Sequence, residues 1–171
     1  MKKYFIAFFI LLLIFISCEK ENTQKEQVPE LGQVFKKGMN IEATKQGRLE
    51  WKMNVNTLIQ KEKQVKKVYG KKINLYLYNE DEQLVMEIQS DKGIANLTSN
   101  NVLLEGNVEL TNKRNNTKLY TDTLNYDSDK EKIYTDSEVK IVKNESIIHG
   151  KGMDADLKMN EITLKETYGK K

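Results

Sequence analysis

Residues 102–110 read Val-Leu-Leu-Glu-Gly-Asn-Val-Glu-Leu, and the alternation within them decides the fold. Val102 and Leu104, then Val108 and Leu110, place apolar side chains at every second position, the period of a strand with one buried face and not the 3.6 of a helix. Glu105-Gly106-Asn107 between them carries turn chemistry, as does Ser99-Asn100-Asn101 just before. Taken back to Ala95, this unit is echoed by Leu124 through Ile141 and again, truncated, by Ala155 through Leu164, a period of about 30 residues. A pair of short strands cannot bury its apolar face alone. Successive pairs therefore predict a stacked, elongated, twisted all-β body with open ends.

Outward from this unit the same two-residue beat covers the chain from Ile41 on: Leu49, Trp51, Met53 and Val55; Ile73, Leu75 and Leu77; Leu84, Met86 and Ile88; Val139 and Ile141; Met153, Ala155 and Leu157; Ile162 and Leu164. The spacers Asn79-Glu80-Asp81, Asn115-Asn116, Asp127-Ser128-Asp129 and Met159-Asn160 are turn-formers. Only the lysine-rich stretch from Gln60 to Lys72 breaks the beat, and it is expected to be a mobile hairpin or loop.

The N-terminus reads as an address. Met1-Lys2-Lys3 precedes an unbroken apolar run from Tyr4 to Ile16, then Ser17-Cys18 and abruptly polar residues, the pattern of a signal peptide. The run is shorter than the roughly 20 residues of a spanning helix, so a membrane anchor needs thinning of the bilayer or snorkelling lysines. Ile14-Phe15-Ile16-Ser17-Cys18 resembles the bacterial lipobox, which would make Cys18 an acylated lipid anchor. Residues 1–18 are thus expected to be a signal peptide or anchor, 19–37 a polar tether containing Pro29, and 38–171 the β domain.

Composition closes several doors. The 171 residues suit one ordinary core, and two of the three excess positive charges are Lys2 and Lys3, leaving no basic face for nucleic acid. One cysteine and one histidine, His149, cannot build a disulfide framework or a zinc site, so no metal or cofactor is expected. The carboxylate pairs Asp127/Asp129 and Asp154/Asp156 sit where strands and turns expose them to solvent, and no catalytic residue is expected. A phosphate-binding glycine loop is also missing from the sequence, so the chain supplies no nucleotide energy of its own.

The strings Gly47-Arg48-Leu49-Glu50-Trp51-Lys52, Leu104-Glu105-Gly106-Asn107-Val108, residues 119–126 (Leu-Tyr-Thr-Asp-Thr-Leu-Asn-Tyr) and Ile148-His149-Gly150-Lys151-Gly152-Met153 followed by Asp156 resemble the LptC family. That family is the membrane-anchored periplasmic component of the lipopolysaccharide export bridge. The resemblance implies a single antiparallel sheet folded over like a taco, a β-jellyroll-like trough with open strand edges. It implies an apolar groove for acyl chains, here Trp51, Met53, Leu75, Leu77, Met86, Ile88, Val102, Leu104, Val108, Leu110, Leu124, Val139 and Ile141. It implies an edge near Ile41 and Leu49 that meets the inner-membrane Lpt ABC transporter, and another near Met153, Leu157, Ile162 and Leu164 that pairs with an LptA-like periplasmic protein. The location implied is the periplasmic face of the inner membrane of a diderm bacterium. Read without the resemblance, apolar alternation is ordinary core, and a structural envelope lipoprotein scaffold with a filled interior is the alternative. Trp51 fits either a core anchor or a groove rim, and Gly106, Gly150 and Gly152 fit either functional bends or plain bulges.

Overall fold

The computed structural model describes residues 33–35, 38–60 and 67–168. The signal segment, Cys18 and all of the tether except residues 33–35 lie outside the described residues. Ten strands follow one another: β1 (Gln33–Phe35), β2 (Met39–Lys45), β3 (Arg48–Gln60), β4 (Lys67–Tyr78), β5 (Leu84–Asn96), β6 (Val102–Asn112), β7 (Lys118–Asp127), β8 (Lys132–Lys143), β9 (Ser146–Asp156) and β10 (Ile162–Tyr168). From β3 to β10 each strand pairs antiparallel with the next, and β1 and β2 occupy successive stretches of the same side of β3. Among the described residues the result is one open antiparallel sheet and no helix.

Two expectations are corrected. Glu105-Gly106-Asn107 is not a turn between short strands but a bulge inside the single strand β6, so the repeat unit is a pair of long strands. The lysine-rich stretch takes the hairpin alternative and not the loop: Gln60 ends β3 and Lys67 to Lys72 begin its antiparallel partner β4, with Val68 buried, Lys71 and Lys72 on the wet face, and 61–66 outside the described residues. Lysines on the solvent face masked the alternation beneath them, and Gly70 removes a side chain where a Cβ would meet Val55 Cγ1 at 2.7 Å. β1, moreover, lies within the segment whose composition suggests a tether, so pairing starts before residue 38.

The way the sheet folds over is written in the spacing of its inward residues. β3 buries Val55 and then Leu58, β4 Gly70 and then Ile73, β5 Ser90 and then Gly93, β7 Thr121 and then Leu124, β9 Gly150 and then Met153. Each step is three residues, which reverses the parity of the alternation in mid-strand. β6 and β8 instead step by four, from Leu104 to Val108 and from Thr135 to Val139, and the pairing register shifts at the same places. Lys72, Asp91, Gly106-Asn107, Asp122, Asp136-Ser137 and Gly152 therefore form a crease across the sheet. Positive φ at Lys72, Gly106, Asn107 and Gly152 marks the bend, and at Gly106 (φ 78) the missing side chain makes that conformation free of strain.

Each strand thus contributes one half to each of two facing walls. A flat 13-residue strand would hold its ends about 40 Å apart. Yet Trp51, near the start of β3, donates its Nε1 proton to the carbonyl of Asn100, in the turn at the far end of β5, at 2.9 Å. Between the walls lies a single apolar interior.

Candidate apolar trough and its seam

Two ladders of inward side chains line the interior. On one wall the register runs Ile41, Met53, Leu75, Ile88, Leu110, Leu119, Ile141, Ile148, each directly opposite the next on the neighbouring strand. On the other it runs Val68, Ala95, Val102, Tyr126, Ile133, Ala155, Ile162. Both continue without a polar rung except the Tyr126 hydroxyl. All thirteen residues expected in the groove are brought together here, and none is more than 3% exposed. Leu119, Ile133 and Tyr126 belong to the same surface and were missed: Leu119 and Ile133 are isolated apolar residues in polar surroundings, too few to show a beat.

The first ladder opens at both ends and the second at Ile162. Met39 and Ile148 face inward by register, opposite Val55 and Ile141, yet are 39% and 44% exposed. Ile41, Leu157, Ile162 and Leu164 are half-buried against the core. Ile41 on β2 and Ile162 and Leu164 on β10 lie on strands with one side unpaired among the described residues. Leu49 and Met153 lie one strand further in, on β3 and β9, and Met153 pairs with both Thr135 and Leu164.

The lips of the two walls meet along a seam pinned at two places by polar side chains. At the first, Glu50 accepts from Tyr126 Oη at 2.8 Å and Asn100 Nδ2 at 2.8 Å and, at still closer range, from Ser128 Oγ. Lys45 Nζ donates to the Ser128 carbonyl at 2.7 Å, and Asn100 Nδ2 also reaches the Thr44 carbonyl. Glu50 reaches into the seam because the β2–β3 register slips between Ala43 and Thr44, leaving Glu50 as the extra residue of a bulge that turns its side chain out of the strand's normal alternation. Burial, then the hydrogen bond to Glu50, pushes the Tyr126 phenol far above its ordinary range. At the second pin, Asn112 Nδ2 donates to the carbonyls of Leu157 and Lys158 at 3.4 and 3.1 Å. The sequence hid both pins, since their partners lie 45 to 83 residues apart. Trp51, bonded to Asn100 and wholly buried, is enclosed beside the first pin.

Between the pins the lips part around a cavity of about 670 Å³. Its floor includes Leu49, Val85 and Leu157, and its walls carry Lys45, Arg48, Arg114 and Lys158 together with Glu50, Glu80, Asp81 and Glu131.

Three of the four carboxylates weighed as catalytic pairs make local surface contacts instead. Asp127 pairs with Lys130 at 2.9 Å, and that hydrogen bond lowers its pKa from the usual carboxylate value. Asp154 pairs with Lys132 at 2.7 Å, and Asp156 Oδ1 accepts the backbone N–H of Asn160 and of Glu161. No cluster able to hold a metal ion lies among the described residues.

Compared with known proteins, residues 4–168 match the family described as lipopolysaccharide-assembly, LptC-related. Among solved structures the fold is similar to that of LptH, described as the LptA homologous periplasmic component of the conserved lipopolysaccharide transport device from Pseudomonas aeruginosa, with a TM-score of 0.55 and 12% identity over 68% of this chain and 82% of that one. No curated protein matches the chain.

Proposed function

The chain belongs to the LptC-related family of lipopolysaccharide assembly, and from that premise we propose that it carries lipopolysaccharide across the periplasm as one trough of a protein bridge. The observation that carries this reading is the pair of apolar ladders running unbroken across the sheet, one from half-buried Ile41 to the 44% exposed Ile148 and the other from buried Val68 to half-buried Ile162. Acyl chains would lie between the walls, against Leu75, Ile88, Leu104 and their neighbours, and move from rung to rung without meeting water.

Lipid would enter from an inner-membrane Lpt ABC transporter at the β1/β2 edge and leave to an LptA-like protein at the β10 edge. Unpaired strand edges accept a further strand by main-chain hydrogen bonds, which joins one trough to the next. The likeness in fold to an LptA-homologous periplasmic protein supports a trough of the same architecture in this chain. Residues 1–18 would direct export, Cys18 would hold the chain at the inner membrane through a lipid, 19–37 apart from the paired strand β1 would act as tether, and β1 with 38–171 would form the carrier domain. Burial of each methylene contributes about 0.8 kcal/mol, but a lipid leaving a bilayer gives up nearly the same. Transfer into the trough is close to thermoneutral, and the partner ATPase supplies direction. The chain acts as a carrier and not as an enzyme.

Full burial of the interior rungs favours a second reading, a scaffold whose core is filled by its own side chains. In-cell photocrosslinking separates the two. A photoreactive residue at Leu104 or Ile88 should capture lipopolysaccharide, while one at the outward Lys140 should not, and depleting ATP should abolish the adduct. A folded, membrane-bound protein with no adduct at either inward site would give the scaffold reading the lead.

A further inference from the structure

The cavity in the seam holds both arginines of the chain, Arg48 as the first residue of β3 and Arg114 in the turn leaving β6. They stand 66 positions apart in sequence, and only the folding of the sheet brings them to one opening. Neither guanidinium makes a hydrogen bond or ion pair among the described residues, although lysines elsewhere on the sheet pair with carboxylates at Glu42, Glu87, Asp127 and Asp154. Below the arginines the floor is apolar and continuous with the interior: Val85 belongs to the core cluster and Leu157 packs on it. A register slip at β4–β5, between Leu77 and Tyr78, leaves Val85 as the extra residue that faces this floor.

We propose that this cavity is a head-group site, in which the Arg48 and Arg114 guanidiniums take the phosphate of an acylated, phosphorylated glycolipid whose chains lie between the walls. The proposal rests on the carrier reading above and adds to it the place where the polar end of the cargo emerges. Guanidinium forks match phosphate oxygens in two parallel hydrogen bonds, and Lys158 on the opposite lip adds a point charge. A volume of about 670 Å³ is ample for a phosphorylated sugar.

The carboxylates of the lining decide the source of the phosphate. Glu50 is occupied by its three neutral donors, but Glu80, Asp81 and Glu131 repel a bare anion. A phosphate delivered by chains already held beneath it arrives at high effective concentration and overcomes that repulsion. Free phosphate does not.

The test is a titration of the full chain in non-ionic detergent micelles with lipid A, with phosphatase-treated lipid A, and with inorganic phosphate. Binding is read by co-elution of labelled lipid and by the fluorescence of Trp51, the one indole present. Lipid A should bind at least about tenfold more tightly than its dephosphorylated form. Arg48→Gln with Arg114→Gln should erase that difference and leave the dephosphorylated lipid unchanged; the paired lysine variant should restore part of it; Lys140→Gln should change nothing. Equal binding of the two lipids by the unaltered chain would overturn the arginine site and leave the apolar interior as the whole of the binding surface. Saturation by inorganic phosphate as readily as by lipid A would overturn the lipid source. If neither lipid bound, this site and the carrier reading beneath it would both fall.

Discussion

Leu75 and Ile148 are rungs of one ladder, on the same wall and of the same chemistry, and they differ in one respect: Leu75 is wholly buried and Ile148 is 44% exposed. The middle of the trough is closed because the opposite wall faces it and the two polar pins hold the lips together. The ends are open because the walls meet out of step. The turn before β3 meets the turns after β5 and β7, and the turn after β6 meets the turn after β9, so the turn after β8 has no lip to close against. One sheet thereby carries a sealed section and two apolar mouths without any change of sequence style. On the proposed carrier reading, the mouths are where a partner trough would continue the surface, and the sealed section is where cargo would have to part the walls.

The largest effect that could break this comparison is truncation of the two rungs. Leu75→Ala should cost about 2–5 kcal/mol of stability and Ile148→Ala well under about 1, read from chemical denaturation by circular dichroism. Similar losses at both would mean that the C-terminal mouth is as closed as the middle. Next comes the first pin. Glu50→Ala strands three donors in the seam, and a loss of about 2–3 kcal/mol is expected, with the interior becoming accessible to an apolar dye. A stable variant that excludes the dye would show the seam held by apolar packing alone.

A smaller effect is confined to alkaline solution. The Tyr126 phenol titrates higher in the folded chain than in the unfolded one, so its contribution is fully present below the unfolded value of about 10 and is lost as pH rises beyond it. Stability should fall above about pH 10, and Tyr126→Phe should flatten that fall. Smallest of all is the exposed pair of Lys165 and Asp136 at 2.6 Å on the outer face of the crease. Asp136→Asn should leave the denaturation midpoint unmoved, since exposed pairs are screened by solvent. A clear loss would mean that the crease, and not the seam, holds the walls together.

Much of this was legible from the chain. Strand periodicity, turn residues and the repeat are local properties, set by a two-residue beat and by which residues accept turn geometry, and they give an all-β body with open edges. The thirteen positions expected in the groove are buried together in the interior, most of them because each sits in a run with a neighbour in phase. The crease was present too, as the three-residue step from Val55 to Leu58 or from Gly70 to Ile73, but a parity change reads equally well as two separate strands, which is how Glu105-Gly106-Asn107 looked like a turn. Asn112 and Arg114 gave no signal, Asn100 reads only as a turn residue, and Arg48 and Glu50 read only as part of a family string that says nothing of their partners. Each is an ordinary polar residue until a partner tens of residues away is brought to it.

The sequence by itself determined that every strand has one apolar face, because alternation is a contest between burial and solvation settled within a few residues. Only the tertiary structure decided which apolar faces meet, how far the walls are out of step, and hence which rungs are sealed and where the seam opens. Those depend on bulges summed across ten strands, and a shift too small to read in any one strand moves the lips by whole turns.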